Sequence, residues 1–445
     1  MSAGQHGHAS QPDPASSRAE EAARRRHAWQ AVVAVVAVGL VGGVAGVFIG
    51  RATDAGEPKP SLSASWQALP PAPIPGRIAA SSVWTGKEMI VWGGYTGKVT
   101  PGPCGGCASD GAVYDPATRT WRAISPSPAG VRGGGANSAA WTGDEMVVWA
   151  SNSPDGPAGA AAYDPETDTW RRLPPGPLGG REGYATVWTG KELLVIGGHR
   201  GDAAGTPAAA ALDPRTGTWR VLPAFERFGF FGGPSGAVWD GHEAIVMGNV
   251  SLCPERGSAC AEHRPTLVAY DPATDRAREI PLPAPSADFG SDTAASLTPI
   301  AWTGSEVVFT AAAPGSVQII RYNPTIGGWK GVPAGQCHIV ATPAQGHGCR
   351  DWRNGPAAPC VIAAGQSAWL GDRYVAPCGE DGLQVYALAT GSWDWRTLAP
   401  GPSPLNSRGG SAMVWTGSEL IVWSGSTYER GNPTPANGAS LNLKG

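Results

Sequence analysis

Four arginines stand at like places ahead of a recurring tryptophan. Arg77, Arg181 and Arg408 each precede one of these tryptophans (Trp84, Trp188 and Trp415) by seven residues, and Arg132 precedes Trp141 by nine, with Gly-Gly-Gly inserted between. Guanidinium groups brought to one place would bind carboxylates or phosphates through paired N–H donors. The same groups could instead bond backbone carbonyls of an adjoining repeat. A second cluster, AFERFGFFGG (224–233), puts Phe225, Phe228, Phe230 and Phe231 into one connecting stretch. Such apolar surface suits a protein partner or a lipid, or fills a gap between packed elements. Arg77, Arg132, Arg181, Arg408, Phe228, Phe230 and Phe231 are the candidate binding residues.

All eight cysteines, Cys104, Cys107, Cys253, Cys260, Cys337, Cys349, Cys360 and Cys378, lie beyond residue 60. An even number there points to structural disulfides, with Cys104–Cys107 and Cys253–Cys260 each closing one loop and the pairing of the last four left open. The single CxxC at 104–107 has no second CxxC or paired His to complete a zinc set. It also sits between strand-like runs, not at the helix start that thioredoxin-like chemistry uses. No spacing marks a paired acid and base, so no catalytic residue, metal or cofactor is assigned.

These side chains must be held by a repeat. VWTGKEMIVWGG (83–94) returns as VWTGKELLVIGG (187–198) and VWTGSELIVWSG (414–425). Aligning its Trp gives Trp84, Trp141, Trp188, Trp239, Trp302, Trp369 and Trp415. A second element follows most copies: VYDPATRTW (113–121), AYDPETDTW (162–170), ALDPRTGTW (211–219), AYDPATDRA (269–277), RYNPTIGGW (321–329) and VYALATGSW (385–393). Each unit reads as four short strands, with TGKE and DPxTxT as tight turns. Units of 46 to 67 residues are close to the period of propeller blades. The expected fold is therefore all-β, a seven-bladed β-propeller of four-stranded antiparallel blades over 62–445. The last copy stops after GASLNLKG, while SASWQALPPAP (63–73) looks like an orphan fourth strand. Pairing the two would close the ring and remove an exposed edge.

The unit resembles the kelch repeat in its second strand ending in Gly-Gly (Gly93-Gly94, Gly197-Gly198), the aromatic residue late in the third strand, and the Trp opening the fourth. The Gly pair is lost in copies two, four, five and six and becomes Ser424-Gly425 in the last; Ala277 replaces the Trp of copy four. An Arg at the position of Arg77 is common in kelch repeats, which favours the carbonyl-bonding role. The resemblance extends distantly to the central domain of galactose oxidase, which implies a copper site; His199, His263, His338 and His347 fall in the variable loops, and imidazole suits copper. Sialic acid epimerases have a similar ring, and DPxTxTW is not the sialidase box SxDxGxTW. The alternative function is thus a carbohydrate-active or copper-dependent oxidase-like enzyme.

In such a ring the TGKE and DPxTxT turns share one face. The other face carries most of the length variation, at 95–110, 151–160, 199–208, 248–265, 331–361 and 426–437, where binding is expected. The partner expected there is a protein or glycan. Nucleic acid is excluded by a net charge of -3 and the lack of a basic stripe beyond residue 60.

Residues 29–50, WQAVVAVVAVGLVGGVAGVFIG, form a 22-residue run without a charge, about 33 Å as a helix. Arg24, Arg25 and Arg26 precede it, so the positive-inside bias places 1–28 as a cytoplasmic tail, expected to be disordered, and the rest outside the cell membrane after a linker at 51–61. A cleaved signal peptide is the rival; its apolar region would be shorter. The expected function is a single-pass, membrane-tethered, extracytoplasmic binding module.

Overall fold

A computed structural model describes residues 63–96, 106–128, 130–133, 138–151, 158–181, 183–198, 207–228, 230–251, 263–284, 297–313, 316–332, 368–370, 373–378, 384–389, 395–397, 408–427 and 434–444. The candidate membrane segment 29–50, the tail 1–28 and the linker 51–61 lie outside these. Among the described residues no helix is long and apolar enough to cross a membrane.

The described chain is an all-β propeller of four-stranded antiparallel blades. Blade 1 comprises Ser81–Trp84, Met89–Trp92, Gly111–Asp115 and Thr120–Ile124. Blade 2 comprises Ala139–Trp141, Met146–Ser151, Ala158–Asp164 and Thr169–Leu173. Blade 3 is built from Ala185–Trp188, Leu193–Ile196, Ala209–Asp213 and Thr218–Val221. Blade 4 follows with Phe230–Trp239, Ala244–Ser251, His263–Asp271 and Arg276–Ile280. Blade 5 has Leu297–Trp302, Val307–Ala313, Ser316–Asn323 and Gly328–Val332. Blade 6 has Ala368–Trp369, Arg373–Cys378, Gln384–Ala389 and Trp395–Thr397.

Six blades, not seven, are built from consecutive strands. Six sheets take four consecutive strands each, in order from first to outer. A further four-stranded closing sheet joins Ala412–Trp415, Glu419–Trp423 and Gly438–Lys444 to an outer strand, Ser63–Ala68, from the other end of the domain. In it Trp66 lies opposite Leu441, as Trp121 lies opposite Tyr114 in blade 1.

The turns follow from local chemistry. In TGKE, Thr85 N–H donates to Glu88 O at 3.0 Å while Thr85 Oγ1 accepts from Glu88 N–H at 2.9 Å, and Gly86 takes φ +94°, open to a residue without Cβ. Thr142, Thr189, Thr303 and Thr416 repeat this turn. In DPxTxT, Asp115 Oδ1 accepts from Ala117 N–H at 2.8 Å, an Asx turn that Asp164 repeats.

The second strands are apolar without alternation because both their faces are buried. Met89, Ile90, Val91 and Trp92 are all fully buried. Met89 and Val91 pack with Val414, Ile421 and Trp423 of the closing sheet, whereas Ile90 and Trp92 pack with Met146, Val148 and Tyr163 of blade 2. The same layering recurs between blades 2 and 3, 3 and 4, and 4 and 5. The core is thus a set of interfaces between blades. The outer strands of blades 1 to 3, by contrast, are half exposed.

Two details of the repeat differ from the sequence expectation. In blade 6 the outer-strand residue opposite Leu388 is Trp395 and Tyr386 lies opposite Thr397, so the pairing of that copy begins two residues beyond the Trp393 that VYALATGSW aligns. In blade 4, where Ala277 stands for Trp, a short 3-10 turn at Pro223–Phe225 brings Phe225 against Tyr270, ring centroids 4.9 Å apart. This matches the 4.9, 5.0 and 4.8 Å of Tyr114–Trp121, Tyr163–Trp170 and Tyr322–Trp329. A connector thus supplies the missing aromatic ring.

Ile90→Ala removes a side chain packed at a two-sided interface and is expected to cost about 2–5 kcal/mol. Val221→Thr on a half-exposed outer strand is expected to stay within about 0.5 kcal/mol. Denaturant unfolding of the two variants checks this contrast.

Candidate functional site

The four arginines do not form one cluster of free cations. Arg77 is 1% exposed. Its Nη2 makes a bidentate pair with Asp110 (both contacts 2.8 Å), and Nη1 donates to Gly93 O at 2.9 Å. Arg181, also 1% exposed, donates to Gly197 O at 2.9 Å, Pro207 O at 3.1 Å and Ala208 O at 3.3 Å. Both guanidinium groups therefore cap the base of the loop between second and third strands in their own blade. The backbone N–H of each reaches back one blade: Arg77 to Ser424 Oγ of the closing sheet at 2.6 Å, Arg181 to Ser151 Oγ of blade 2 at 2.5 Å. The carbonyl-bonding role is the one observed, in each arginine's own blade and not its neighbour's, because buried guanidinium groups need acceptors.

Arg132 is exposed, in the segment leading into blade 2. Arg408 lies opposite Thr427 in a short two-stranded ladder, Arg408–Gly409 with Ser426–Thr427; its side chain lies outside the description.

The phenylalanines are core. Phe225, Phe228 and Phe230 are 0, 3 and 8% exposed, and all three join the layer between blades 3 and 4. Phe228 and Phe230 stack at 6.3 Å, with the Arg227 guanidinium 4.5 Å from the Phe228 ring. Of the two roles open to them, partner contact or filling the gap between blades, Phe228 and Phe230 take the packing between blades. Phe231 belongs to the first strand of blade 4, and nothing of its side chain is described.

Cys107 is disulfide-bonded. Cys378 ends the second strand of blade 6. Cys104, Cys253, Cys260, Cys337, Cys349 and Cys360 lie outside the described residues, as do His199, His338 and His347; His263 opens the third strand of blade 4. Among the described residues no group of three His, Cys, Asp or Glu is placed to hold a metal ion.

The two faces differ in how their polar groups are used. On the turn face, one outer-strand Arg in each of blades 1 to 4 pairs with the Glu that ends its own blade's first turn: Arg122–Glu88 at 3.3 Å, Arg171–Glu145 at 2.6 Å, Arg220–Glu192 at 2.9 Å and Arg278–Glu243 at 2.6 Å. Arg122 also donates to Tyr163 Oη at 3.2 Å and Pro165 O at 3.0 Å in blade 2, and Tyr163 Oη donates to Asp168 Oδ1 at 2.8 Å. Arg220, Tyr270 and Asp275 repeat this inter-blade clamp at 3.1 and 2.9 Å. Burial, and then the Asp168 acceptor, raise the Tyr163 hydroxyl well above its usual pKa against the pull of Arg122. Burial opposes ionisation of Asp168, but bonds from Ser125 N–H, Tyr163 Oη and Ser125 Oγ outweigh it and hold the carboxyl below its ordinary value.

On the loop face, blade 1 carries a second tier of backbone pairing. Ile78 bridges Tyr95, Tyr95 bridges Cys107, and Ala108 bridges Gly133. Gly94 N–H donates to Gly133 O at 2.9 Å, which sets Tyr95 and Arg132 on either side of one hydrogen bond. Gly93 makes this approach possible, since a Cβ there would stand 2.7 Å from Gly133 Cα. Tyr95 is 39% exposed. Tyr184 lies nearby, its hydroxyl 2.7 Å from Ser138 Oγ; burial pushes its pKa up to about 12, bonds to Ser138 and Ser151 oppose this, and Tyr95 adds to it.

Sequence reasoning missed Tyr95 and Tyr184, which occur once each rather than at a repeat position. It also missed the serine staples, although Ser424 in place of the first Gly of the pair was a visible signal. No protein-family model and no curated protein matches the chain.

Arg77→Ala is expected to lower stability by about 2–4 kcal/mol by stranding Asp110 and a buried carbonyl, while Arg132→Ala changes it by less than about 0.5 kcal/mol; thermal unfolding distinguishes them. Asp168 stabilises the fold only while ionised, so its contribution is present above the unfolded carboxyl pKa of about 4 and fades as pH falls through the lowered folded value. Asp168→Asn is therefore expected to lower Tm at pH 7 and to converge on the parent once pH falls below the lowered folded value.

Proposed function

We propose that this chain is a binding module that grips a protein or glycan with its loop face. A propeller fold is consistent with that role. The observation that carries it is the asymmetry between the faces. On the turn face Arg122, Arg171, Arg220 and Arg278 are held in Arg–Glu pairs, two of them also in inter-blade clamps, whereas the loop face raises a tier of paired backbone beside disulfide-bonded Cys107, with Tyr95 and Arg132 exposed on it. A half-exposed Tyr and an exposed Arg on rigid backbone are the residue types that interface hot spots use. In this reading the closing sheet counts as the seventh blade, the repeat is kelch-like, and the segment 29–50 tethers the ring outside the cell membrane with the N-terminus in the cytoplasm. The oxidase-like alternative rests on His199, His263, His338 and His347, of which His263, at the start of the third strand of blade 4, is described.

Photo-crosslinking side chains installed singly at 95, 132 and, as turn-face control, 87 test this in intact cells. Adducts from 95 and 132 but not from 87 are expected. Adducts confined to 87 would move the binding surface to the turn face and end the proposal.

A further inference from the structure

The inter-blade clamp is inverted at one junction, the one where the closing sheet meets blade 1. At two junctions the outer strand of one blade presents a cation to the Tyr of the next and an acid follows that Tyr: Arg122 to Tyr163 and Arg220 to Tyr270; at the blade 4 to 5 junction Arg278 meets Tyr322 with Gly327 at the acid's place. At the first two the acid is in the left-handed conformation, Asp168 at φ 52° and Asp275 at φ 51°. At the closing junction both positions change. Gln67, opposite Ser440 as Arg122 is opposite Val113, stands for the arginine. Arg119, at φ 56°, stands for the aspartate. Its Nη1 donates to Gln67 Oε1 at 2.9 Å and its Nη2 to Ala68 O at 2.6 Å. Tyr114, buried between the two sheets, has a hydroxyl with no hydrogen-bond partner among the described residues.

The surroundings suit the exchange. Asp168 accepts from the N–H of Ser125, at 3.0 Å. The residue at that place after the closing outer strand is Pro70, which has no N–H: Trp121 Nε1 donates to Pro70 O as Trp170 Nε1 donates to Ser125 O. A proline there does not bar an acid, since Pro223 holds the same place before Asp275, which accepts from Tyr270 Oη; Ala68 O and Gln67 Oε1 are acceptors that suit a guanidinium. The exchange also has a consequence for assembly. The outer strands of blades 1 to 6 all carry a cation at the place of Gln67: Arg122, Arg171, Arg220, Arg278, Lys330 and Arg396. Any of them lying against blade 1 would press that cation onto Arg119, and like charges in close contact repel.

We propose that Arg119 is a strand-selecting residue that admits the N-terminal strand Ser63–Ala68 through Gln67 and Ala68 O and rejects the other outer strands, so that near-identical hairpins close in one register. Repeat chains fail by misassembly between similar units, and a repulsive element against wrong partners is how specificity of this kind is built. The inference is independent of what the loop face binds.

The test is a four-member set of full chains: parent, Arg119→Asp, Gln67→Arg and the double variant. Hydrogen exchange of amides 64–68 is read by mass spectrometry, and monomer yield after refolding is read by gel filtration. Each single variant is expected to speed exchange roughly fivefold, the size of one ordinary hydrogen bond, since Arg119→Asp faces Gln67 and Ala68 with an acceptor and Gln67→Arg sets two guanidinium groups together. The double variant rebuilds the Arg–Tyr–Asp clamp around Tyr114 and is expected to restore protection to the parent level or above. Effects that simply add in the double variant would overturn the proposal. Arg119→Gln removes the repulsion but keeps an N–H donor. It is expected to exchange like the parent yet refold with more misassembled oligomer; a parent-like monomer yield would show that Arg119 stabilises without selecting.

Discussion

The described fold depends on the burial, on both faces, of the second strands of blades 1 to 5. A strand such as Met89–Trp92 sends Met89 and Val91 one way and Ile90 and Trp92 the other, because successive side chains alternate. Neither half of that surface can be covered within its own sheet. A single blade is therefore unstable alone, and each layer is shared by two neighbours. Fully burying one such aliphatic side chain is worth about 1.5–3 kcal/mol, so the drive to stack is large and does not depend on the polar groups at either face.

The polar groups do a different job, fixing how blades meet. On the turn face the Arg–Tyr–Asp clamp crosses from one outer strand to the next blade's turn. The fourth-strand Trp adds a second link: Trp170 and Trp219 donate to Ser125 O and Pro174 O of the preceding blade's exit. On the loop face, Ser424 and Ser151 tie the start of one blade to the end of the previous second strand. Where the pattern is interrupted, the neighbourhood compensates. Ala277 leaves a vacant ring position that Phe225 enters, and Leu212, which cannot accept from Arg171, leaves that arginine to its own Glu145.

Much of this was legible in the residues. The recurring VWTG motif, the turn chemistry of TGxE and DPxTxT, and the orphan strand around Trp66 all report local constraints, which a sequence states directly. The register Trp66 opposite Leu441 follows from the same pattern that aligns Trp121 with Tyr114. Less legible were the candidate site residues. Arg77 and Arg181 look alike in sequence to Arg132, yet two are buried under carbonyls and one is exposed. Spacing counts residues from a Trp and cannot report which acceptors the next loop brings within reach.

The sequence by itself determined the four-stranded unit, its turns and the need for its ends to meet, because hydrophobic periodicity and turn residues act within a few positions of themselves. Only the tertiary structure decided the roles of Phe228, Phe230, Arg77, Arg119 and Tyr95. Each of those depends on partners dozens to hundreds of residues away: Ser424 for Arg77, Gln67 for Arg119, the next blade's Tyr270 for the phenylalanine layer. Burial and hydrogen bonding are properties of the assembled ring, and a side chain acquires its role only when the neighbouring blade arrives.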